Sequence, residues 1–289
     1  MGDGLDRREV LQGAAAMGVS GVLGAGQAGS RAPAVFVSHG SPMVALDSDD
    51  YPKALKVFGD GAAAARALVV VSAHWETEGE VRVTTSATPP LIYDFYGFPE
   101  PLYRLKYAAP GAPELAGDVV ARLKEAGLPA VADAERGLDH GAWVPLLHAF
   151  PAAKLPVVQV SMPLGASPAD VARMGEVLRP LRAQGVVLMG SGGIVHNLRR
   201  LNFHEKNASV EPWAQAFDGW VAQKLAARDF SGLQQWLDAP NARLAHPRAE
   251  HLMPLYFALG AALPEDRLTP VFEGFHHGTL SMRSFALRA

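Results

Sequence analysis

The chain has 289 residues, with 26 Lys and Arg against 29 Asp and Glu, which gives a formal net charge of −3 at pH 7. This near-neutral balance provides no basic face for nucleic acid. Hydrophobic residues make up 49% of the chain and charged residues 19%, which is enough apolar material for a folded core. The chain contains no cysteine, so disulfides, thiolate metal sites and a cysteine nucleophile are excluded together. Metal or nucleophile chemistry must therefore use histidines, carboxylates or hydroxyls.

The first segment has the pattern of a bacterial export signal. Arg7 and Arg8 precede an uncharged run at 13–29 that is rich in Ala and Gly, a pattern typical of twin-arginine export. Small residues at 26–28 offer a cleavage point, so we expect residues 1–30 to be a signal segment and the mature protein to be periplasmic. The alternative is a cytoplasmic protein with an Ala- and Gly-rich N-terminus. Elsewhere no run reaches the ~18 apolar residues of a membrane span, so we expect no stable membrane association after processing.

Four short apolar, β-branched runs predict buried parallel strands. The predicted strands are 34–38, 67–72, 156–161 and 186–191. Helical spacing of apolar residues predicts helices at 114–126, 168–181, 212–227 and 251–262. Because strands alternate with helices, we expect an α/β fold with three layers, α/β/α, and a mainly parallel central sheet. No linker or composition break follows Ala34, which favours a single domain over 31–289.

The segment 88–111 is rich in Pro, Gly, Tyr and Phe and is predicted to be a long ordered loop. Long loops in compact domains tend to be functional. Tyr93, Phe95, Tyr96 and Phe98 could form an aromatic lip over a bound ring, or they could be ordinary loop packing. The sequence favours neither interpretation.

Three of the ten histidines follow predicted strands. His39 comes directly after the first strand, His74 two residues after the second, and His196 in the glycine-rich loop beyond the strand at 186–191. Ligands of open α/β sheets bind beyond the carboxyl ends of the strands. We therefore expect these imidazoles to meet at one edge of the sheet.

Two more histidines stand in distinctive positions. His140 lies in a loop of its own beside Gly141, and His251 lies at the start of the predicted helix at 251–262. Burying several imidazoles together is costly unless a cation organises them, so the pattern predicts a metal site.

The other five histidines are expected to hold backbone carbonyls in the core or in loops. They are His148, His204, His246, His276 and His277. Among them, His246 and His277 are also candidates for residues that hydrogen-bond to a metal ligand without binding the metal themselves.

Seven short segments are distinctive by their sequences and by their order along the chain. They are 38–42 (SHGSP), 71–75 (VSAHW), 93–99 (YDFYGFP), 138–143 (LDHGAW), 195–199 (VHNLR), 250–255 (EHLMPL) and 278–282 (GTLSM). In this order they resemble the DODA-type extradiol aromatic ring-opening dioxygenases of the class III, LigB-like superfamily. The resemblance covers about 33–285. It implies a non-haem metal enzyme that opens the ring of a catechol with O2, as in 4,5-cleavage of DOPA, and releases a semialdehyde.

The resemblance also implies roles for the histidines. His39, His74 and His251 match metal ligands, His196 matches either a fourth ligand or an acid/base, and His140 matches a residue that moves protons. The wider superfamily supplies a carboxylate as third ligand, and Glu250 adjoins His251 here. Neighbouring helical side chains point about 100° apart, so only one of the two can reach the metal. The DODA-type pattern favours His251.

The ligand types leave the identity of the metal open, because imidazole suits Fe, Zn, Cu and Ni. Zn(II) has no redox chemistry, whereas Fe(II) with open positions can hold both a catechol and O2. We therefore expect Fe(II) in the working enzyme and Zn(II) as an occupant of purified protein. A Zn-dependent hydrolase using the same histidines and a non-catalytic periplasmic metal-binding protein are the alternatives.

Replacing Arg7 and Arg8 together by Lys is expected to keep the protein in the cytoplasm, because the export machinery reads the guanidinium pair. Cell fractionation with N-terminal sequencing tests this, and the unchanged protein should give a shortened periplasmic form beginning near Gly29. Deletion of residues 1–28 should leave folding and metal binding intact. A wholly cytoplasmic form that keeps Met1 would contradict export.

Overall fold

The computed structural model describes residues 31–289. The export signal predicted at 1–30 lies outside the described residues. The described strands are β1 Ala34–Ser38, β2 Ala67–Thr77, β3 Val81–Thr84, β4 Ala130–Asp133, β5 Val157–Pro163, β6 Val186–Gly192, β7 Arg267–Phe272, β8 Phe275–His276, β9 Leu280–Ser281 and β10 Ser284–Arg288.

The helices lie between these strands. The α-helices are α1 Asp50–Gly61, α2 Glu100–Arg104, α3 Pro113–Glu125, α4 His140–Ala149, α5 Pro168–Leu178, α6 Pro212–Ala226, α7 Phe230–Gln234, α8 Ala242–Ala245 and α9 Met253–Gly260. Short 3₁₀ turns occur at Pro42–Leu46, Arg179–Gln184, Leu198–Arg200 and Trp236–Asp238. Across residues 31–289, none of the helices combines the length and apolar character that a membrane crossing needs.

The main sheet has eight strands in the order β4-β3-β5-β2-β6-β1-β10-β7. Its four central strands, β5, β2, β6 and β1, are mutually parallel. Beyond β1, β10 pairs antiparallel with β1, and β7 pairs antiparallel with β10. On the other flank β3 runs antiparallel to β5. Strands covered on both faces need continuous apolar runs, which is why the central strands were recognisable from sequence.

Helices cover both faces of this sheet. Apolar residues of α1 and α4 form one buried cluster with one face, while those of α3, α5, α6 and α9 form another with the opposite face. The predicted three-layer α/β/α fold, with a mainly parallel central sheet in a single domain, is confirmed.

Several local predictions differ from the structure. Strand β2 does not end at residue 72: it continues past His74 to Thr77, and its register against β5 shifts between Val71 and Glu76. His74 therefore stands within an interrupted part of the strand. The predicted helix at 168–181 ends at Leu178 and continues as a 3₁₀ turn containing Pro180, since proline lacks the N–H that an α-helix needs.

The loop predicted at 88–111 contains the short helix α2. The helix predicted at 251–262 is shorter, because α9 begins at Met253 and leaves His251 in the turn before it. His140 is the first residue of α4 rather than part of a loop. The side chain of Asp139 caps that helix by accepting from the backbone N–H of Ala142, as N-cap residues do.

Strand β6 and the turn before α9 approach each other backbone to backbone. A Cβ atom on Gly192 would lie 2.1 Å from the carbonyl oxygen of His251, and one on Gly190 would lie 2.0 Å from that of Pro254. The same His251 carbonyl accepts a hydrogen bond of 2.8 Å from Gly193 N–H. Glycine in β6 therefore sets how closely His251 can approach the end of the sheet.

Substitution Gly192→Ala is expected to lower the free energy of unfolding by about 1–3 kcal/mol, because a backbone carbonyl must move to admit the methyl group. Gly193→Ala is the matched control, since its Cβ would meet its nearest neighbours at an ordinary 3.7 Å. Urea unfolding of the two variants measures the difference. Equal stability of the two proteins would show that the close approach does not constrain the fold.

Candidate active site

His39 follows β1 and is held by the neighbouring strand β6. Its backbone N–H donates to Gly192 O at 3.0 Å, and its Nδ1 lies 3.0 Å from Ser191 Oγ. The Ser191 hydroxyl donates its proton to Gly141 O, so it accepts from Nδ1–H of His39. That tautomer leaves a free lone pair on Nε2 of His39.

His251 is oriented by the residue beside it. Its Nδ1 lies 3.2 Å from Glu250 Oε1, and a carboxylate at this position accepts the Nδ1 proton. Nε2 of His251 is buried and has no hydrogen-bond partner. A buried nitrogen lone pair without a partner is costly in an apo protein and suits a metal ligand.

His74 brings the third imidazole to the same point. Its Nε2 lies 3.1 Å from Nε2 of His39, and its Nδ1 lies 3.6 Å from Asp94 Oδ2. One nitrogen each from His39, His74 and His251 fall within 4.8 Å of one another. Two lone pairs that face each other repel unless a proton or a cation lies between them. The three imidazoles therefore fit a metal ion.

The electrostatics favour neutral imidazoles, which is the form that binds metals. Burial, followed by the charges of His74 and His140, lowers the pKa of His39 well below its usual range. Burial, followed by the charge of His196, does the same for the pKa of His251. Desolvation, followed by the charge of His140, lowers the pKa of His74 to about 4.

His196 lies beside this cluster rather than within its closest group. Its ring stacks on that of His251, with 3.4 Å between centroids and 4° between planes. Nitrogens and oxygens of His196, Glu250 and His251 also fall within 4.8 Å of one another, so this trio is a second group that could hold a cation. Both interpretations of His196, ligand and acid/base, are compatible with the geometry.

His140 and Asp94 form the opposite wall of the cluster. The His140 ring lies 4.0 Å from that of His74 between centroids. Asp94 Oδ1 accepts from the backbone N–H of His140 at 2.9 Å and lies 3.0 Å from its Nδ1. Burial alone would raise the pKa of Asp94, but the contacts with His140 and its charge lower it to about 2. His74, Asp94 and His140 form the third group that could hold a cation, since one ligand atom from each lies within 4.8 Å of the others.

A buried carboxylate fixes the position of His140. Asp139, which caps α4, accepts from Ser72 Oγ at 2.7 Å and from the side chain of Gln159, and its other contact is Arg136 Nη2 at 3.2 Å. These partners belong to β2, β5 and the loop before α4. The helix therefore begins at a fixed place on the sheet, with His140 facing His74.

Sequence reasoning missed Asp94. It stands between Tyr93 and Phe95 in a segment that was noted for its aromatic rings and as one of the seven family segments, without a role for the carboxylate. The available signal was an acidic residue isolated within the uncharged, aromatic stretch 88–99. Nothing local in the sequence connects it to His74 or to His140.

All five site histidines line one cavity of about 360 Å³, a size within the ~300–1,000 Å³ of small-molecule pockets. Phe95, Tyr96 and Phe98 also line it, which supports the interpretation as a lip for these three. Tyr93 does not line it: its ring packs against Trp143 and Phe95, and its hydroxyl donates to Leu105 O at 2.6 Å.

The other histidines have separate partners. The rings of His148, His246 and His277 bind the backbone carbonyls of Val44, Ile194 and Asn202, respectively. His276 lies 3.8 Å from Asp49, and His204 is exposed. The bond from His246 to Ile194 O lies two residues before His196. The backbone N–H of His196 donates to Ala245 O, next to His246. Within the described range, none of these five belongs to a group that could hold a metal.

An α/β fold with converging imidazoles at the carboxyl edge of its sheet defines the chain as an enzyme with a candidate metal centre. Residues 33–281 match the family model described as the catalytic LigB subunit of aromatic ring-opening dioxygenase. The chain therefore belongs to the LigB family of aromatic ring-opening dioxygenases. The predicted enzyme class, an extradiol ring-cleaving dioxygenase, is confirmed.

Relatives of known name agree with this assignment. A "4,5-DOPA dioxygenase extradiol" of Escherichia coli is 40% identical over 259 residues, covering 88% of this chain and 94% of that protein. One of Beta vulgaris is 37% identical over 258 residues, covering 86% and 94%. The crystal structure of an uncharacterized Escherichia coli protein matches with a TM-score of 0.76 and 34% identity, covering 89% of this chain and 99% of that one.

Substitution of His39, His74 or His251 by Ala is expected to lower metal content sharply, because a site with three protein ligands loses much of its affinity with any one. Glu250→Gln is the matched control and should keep most of the metal, since an amide oxygen still accepts from Nδ1 of His251. Elemental analysis after reconstitution measures the content. Full metal in His251→Ala together with loss in Glu250→Gln would make Glu250 the ligand.

Proposed function

We propose that the chain is a non-haem, metal-dependent extradiol dioxygenase that opens the ring of a DOPA-like catechol with O2 and yields a semialdehyde. The observation that carries this proposal is the convergence of Nε2 of His39 and His74 with the buried, unpartnered Nε2 of His251. The names of the relatives support 4,5-cleavage. The catalytic domain is proposed to span 31–289.

We propose Fe(II) as the working metal, held by His39, His74 and His251. When bound there, Fe(II) supplies redox chemistry and open positions at which a catechol and O2 can be brought together. The Nδ1 contacts with Ser191 and Glu250 keep the rings of His39 and His251 turned inward, as partners behind metal-binding histidines do, and Asp94 lies 3.6 Å from Nδ1 of His74. Zn(II) would occupy the same imidazoles without supporting oxidation.

His140 is proposed to take a proton from a catechol hydroxyl. Its Nδ1 faces the ionised Asp94 at 3.0 Å, which leaves Nε2 as the nitrogen that accepts the proton. The carboxylate then stabilises the imidazolium that forms, and the backbone N–H to Asp94 bond holds the pair in place. His140 also lines the cavity, so a bound hydroxyl can reach it.

His196 is proposed to act as the second acid/base rather than as a ligand. It lines the cavity, and its parallel stacking on His251 keeps its ring edge beside the metal ligands. From there it can hold or return a proton. Phe95 and Phe98 cover the bound ring and exclude water.

Anaerobic reconstitution with Fe(II), followed by oxygen-electrode and absorbance assays over a panel of catechols including DOPA, tests the proposed function. The expected result is O2 uptake together with a new absorbing ring-opened product. A Zn-dependent hydrolase is the competing function at the same histidines. Ester hydrolysis by the Zn(II)-loaded protein, with no O2 uptake by the Fe(II)-loaded protein, would establish that function instead.

We also propose that the protein works in the periplasm after twin-arginine export. The support is the Arg7 and Arg8 pair and the uncharged run that follows. Because this route carries folded proteins, the metal would be loaded before export.

Substitution His140→Ala is expected to keep Fe(II) and to lose roughly 10²–10⁴ in turnover, the usual share of a general acid or base. The exposed His204 offers a matched control, and His204→Ala should leave both quantities unchanged. Steady-state O2 uptake and metal content measured on the same preparation give the result. Turnover near the wild-type rate in His140→Ala would remove this residue from the mechanism.

A further inference from the structure

Two loops that follow the paired strands β1 and β6 supply part of the lining of the histidine cavity. Residues 40–42, directly after His39, come from the first loop. Leu201 and Phe203 come from the second, the segment 197–211, which we call the mouth loop. The shape of the cavity therefore depends on how these two loops are held relative to each other.

Lys206 connects the two loops without lining the cavity. It belongs to the mouth loop, and its Nζ contacts Asp47 and, at 2.5 Å, Asp49 Oδ2. Asp47 directly follows the 3₁₀ turn Pro42–Leu46. Asp49 caps α1 by accepting from the backbone N–H of Tyr51 at 3.2 Å. The lysine therefore joins the mouth loop to the segment between β1 and α1.

The two carboxylates depend on this lysine for neutralisation. The side chains of Lys206 and Asp47 are only 28% and 20% exposed. Burial alone would raise the pKa of Asp49, but the hydrogen bond and the charge of Lys206 lower it. The only other basic group that contacts either carboxylate, among the described residues, is His276, at 3.8 Å from Asp49. Burial, followed by the charge of Lys206, lowers the pKa of His276 to about 4, so this imidazole is neutral at pH 7.

The mouth loop has a second attachment, at the turn between β8 and β9. Asn202 N–H donates to His277 O at 3.2 Å, and His277 N–H donates to Lys206 O at 2.6 Å. Further along, Glu211 N–H donates to Gly278 O at 2.9 Å. Phe203 lies between the anchored residues Asn202 and Lys206, so a displacement of Lys206 displaces this part of the cavity lining.

The start of the mouth loop is held by other bonds. Asn197 Nδ2 donates to Leu244 O at 2.7 Å, and His196 N–H donates to Ala245 O at 3.0 Å. Neither bond involves Lys206. Loss of the lysine is therefore expected to leave the proposed acid/base His196 in place, which separates effects on binding from effects on proton transfer.

Building on the proposed function, we propose that Lys206 is a positioning residue for catechol binding. Through Asp47 and Asp49 it holds Leu201 and Phe203 in the position that receives the bound catechol. The lysine touches neither the metal ligands nor the substrate and acts through the mouth loop. Because this lining is in place before the catechol arrives, binding does not carry the entropic cost of ordering it.

Substitution Lys206→Met tests this role, since it keeps the apolar stem of the side chain and removes the charge. In the Fe(II)-loaded full chain, KM for DOPA is expected to rise roughly tenfold. Turnover (kcat) and metal content should stay within about twofold of wild type, since His140, His196 and the metal ligands keep their partners. Lys206→Arg, which can still bind both carboxylates, should restore KM to within about threefold of wild type.

An unchanged KM in Lys206→Met, or a fall in kcat with KM unchanged, would overturn the proposal. Lys53→Met is the matched control. Lys53 also pairs with an aspartate, Asp50 at 3.0 Å, but it lies on α1 and is 69% exposed. This control should change neither KM nor kcat.

Limited proteolysis reports on the mouth loop without catalysis. Trypsin cleaves after Arg199 and Arg200, which are both exposed in this loop, and cleavage requires local opening of the surrounding segment. The Zn(II)-loaded Lys206→Met protein should be cut at these two sites several times faster than wild type, with Lys53→Met cut at the wild-type rate. Equal cleavage of Lys206→Met and wild type would overturn the proposal.

The double variant Asp47→Asn, Asp49→Asn tests whether the lysine acts through these carboxylates. Asparagine still caps α1, so the variant removes mainly the two charges. It should raise KM as Lys206→Met does, and adding Lys206→Met to it should raise KM little further. A fully additive increase would show that Lys206 acts by another route, which contradicts the proposal.

The outcomes separate this proposal from the proposed function. If none of the catechols supports O2 uptake by the wild-type protein, the dioxygenase function fails, while the cleavage rates still decide whether Lys206 holds the mouth loop. If DOPA is opened and Lys206→Met leaves its KM unchanged, the function stands and the role of Lys206 alone is wrong.

Discussion

The fixed orientation of three imidazole rings is the constraint on which the site depends. Each ring has its Nδ1 directed at a different partner: Ser191 for His39, Asp94 for His74 and Glu250 for His251. The Nε2 atoms of His39 and His74 lie 3.1 Å apart, and Nε2 of His251 is buried without a hydrogen-bond partner. Two lone pairs at this distance repel unless a proton or a cation lies between them, so the arrangement of the three rings suits a metal ion.

The partners of the rings connect the site to the whole sheet. Ser191 belongs to β6, and its hydroxyl also reaches Gly141 at the start of α4. Asp139 ties the same helix to β2 and β5 through Ser72 and Gln159. Residues of three central strands and one helix therefore position His39, His74 and His140.

Much of this fold and part of the site could be predicted from the sequence. Central strands such as β1 and β6 were predictable because burial on both faces requires continuous apolar runs. Strands β3 and β4, with only four residues each, and the antiparallel β7 and β10 carry no such run and were missed. His39 was placed correctly after β1. Asp94 was not found, because its role arises from a contact with His140 across 46 residues of chain that no local pattern encodes.

The most direct measurement is an anomalous difference map from crystals of the Fe(II)-loaded protein. The account predicts a single iron peak about 2 Å from Nε2 of His39, His74 and His251, with Asp94 and Glu250 remaining at the far nitrogens of His74 and His251. Iron bound instead between His74, Asp94 and His140, or between His196, Glu250 and His251, would contradict it.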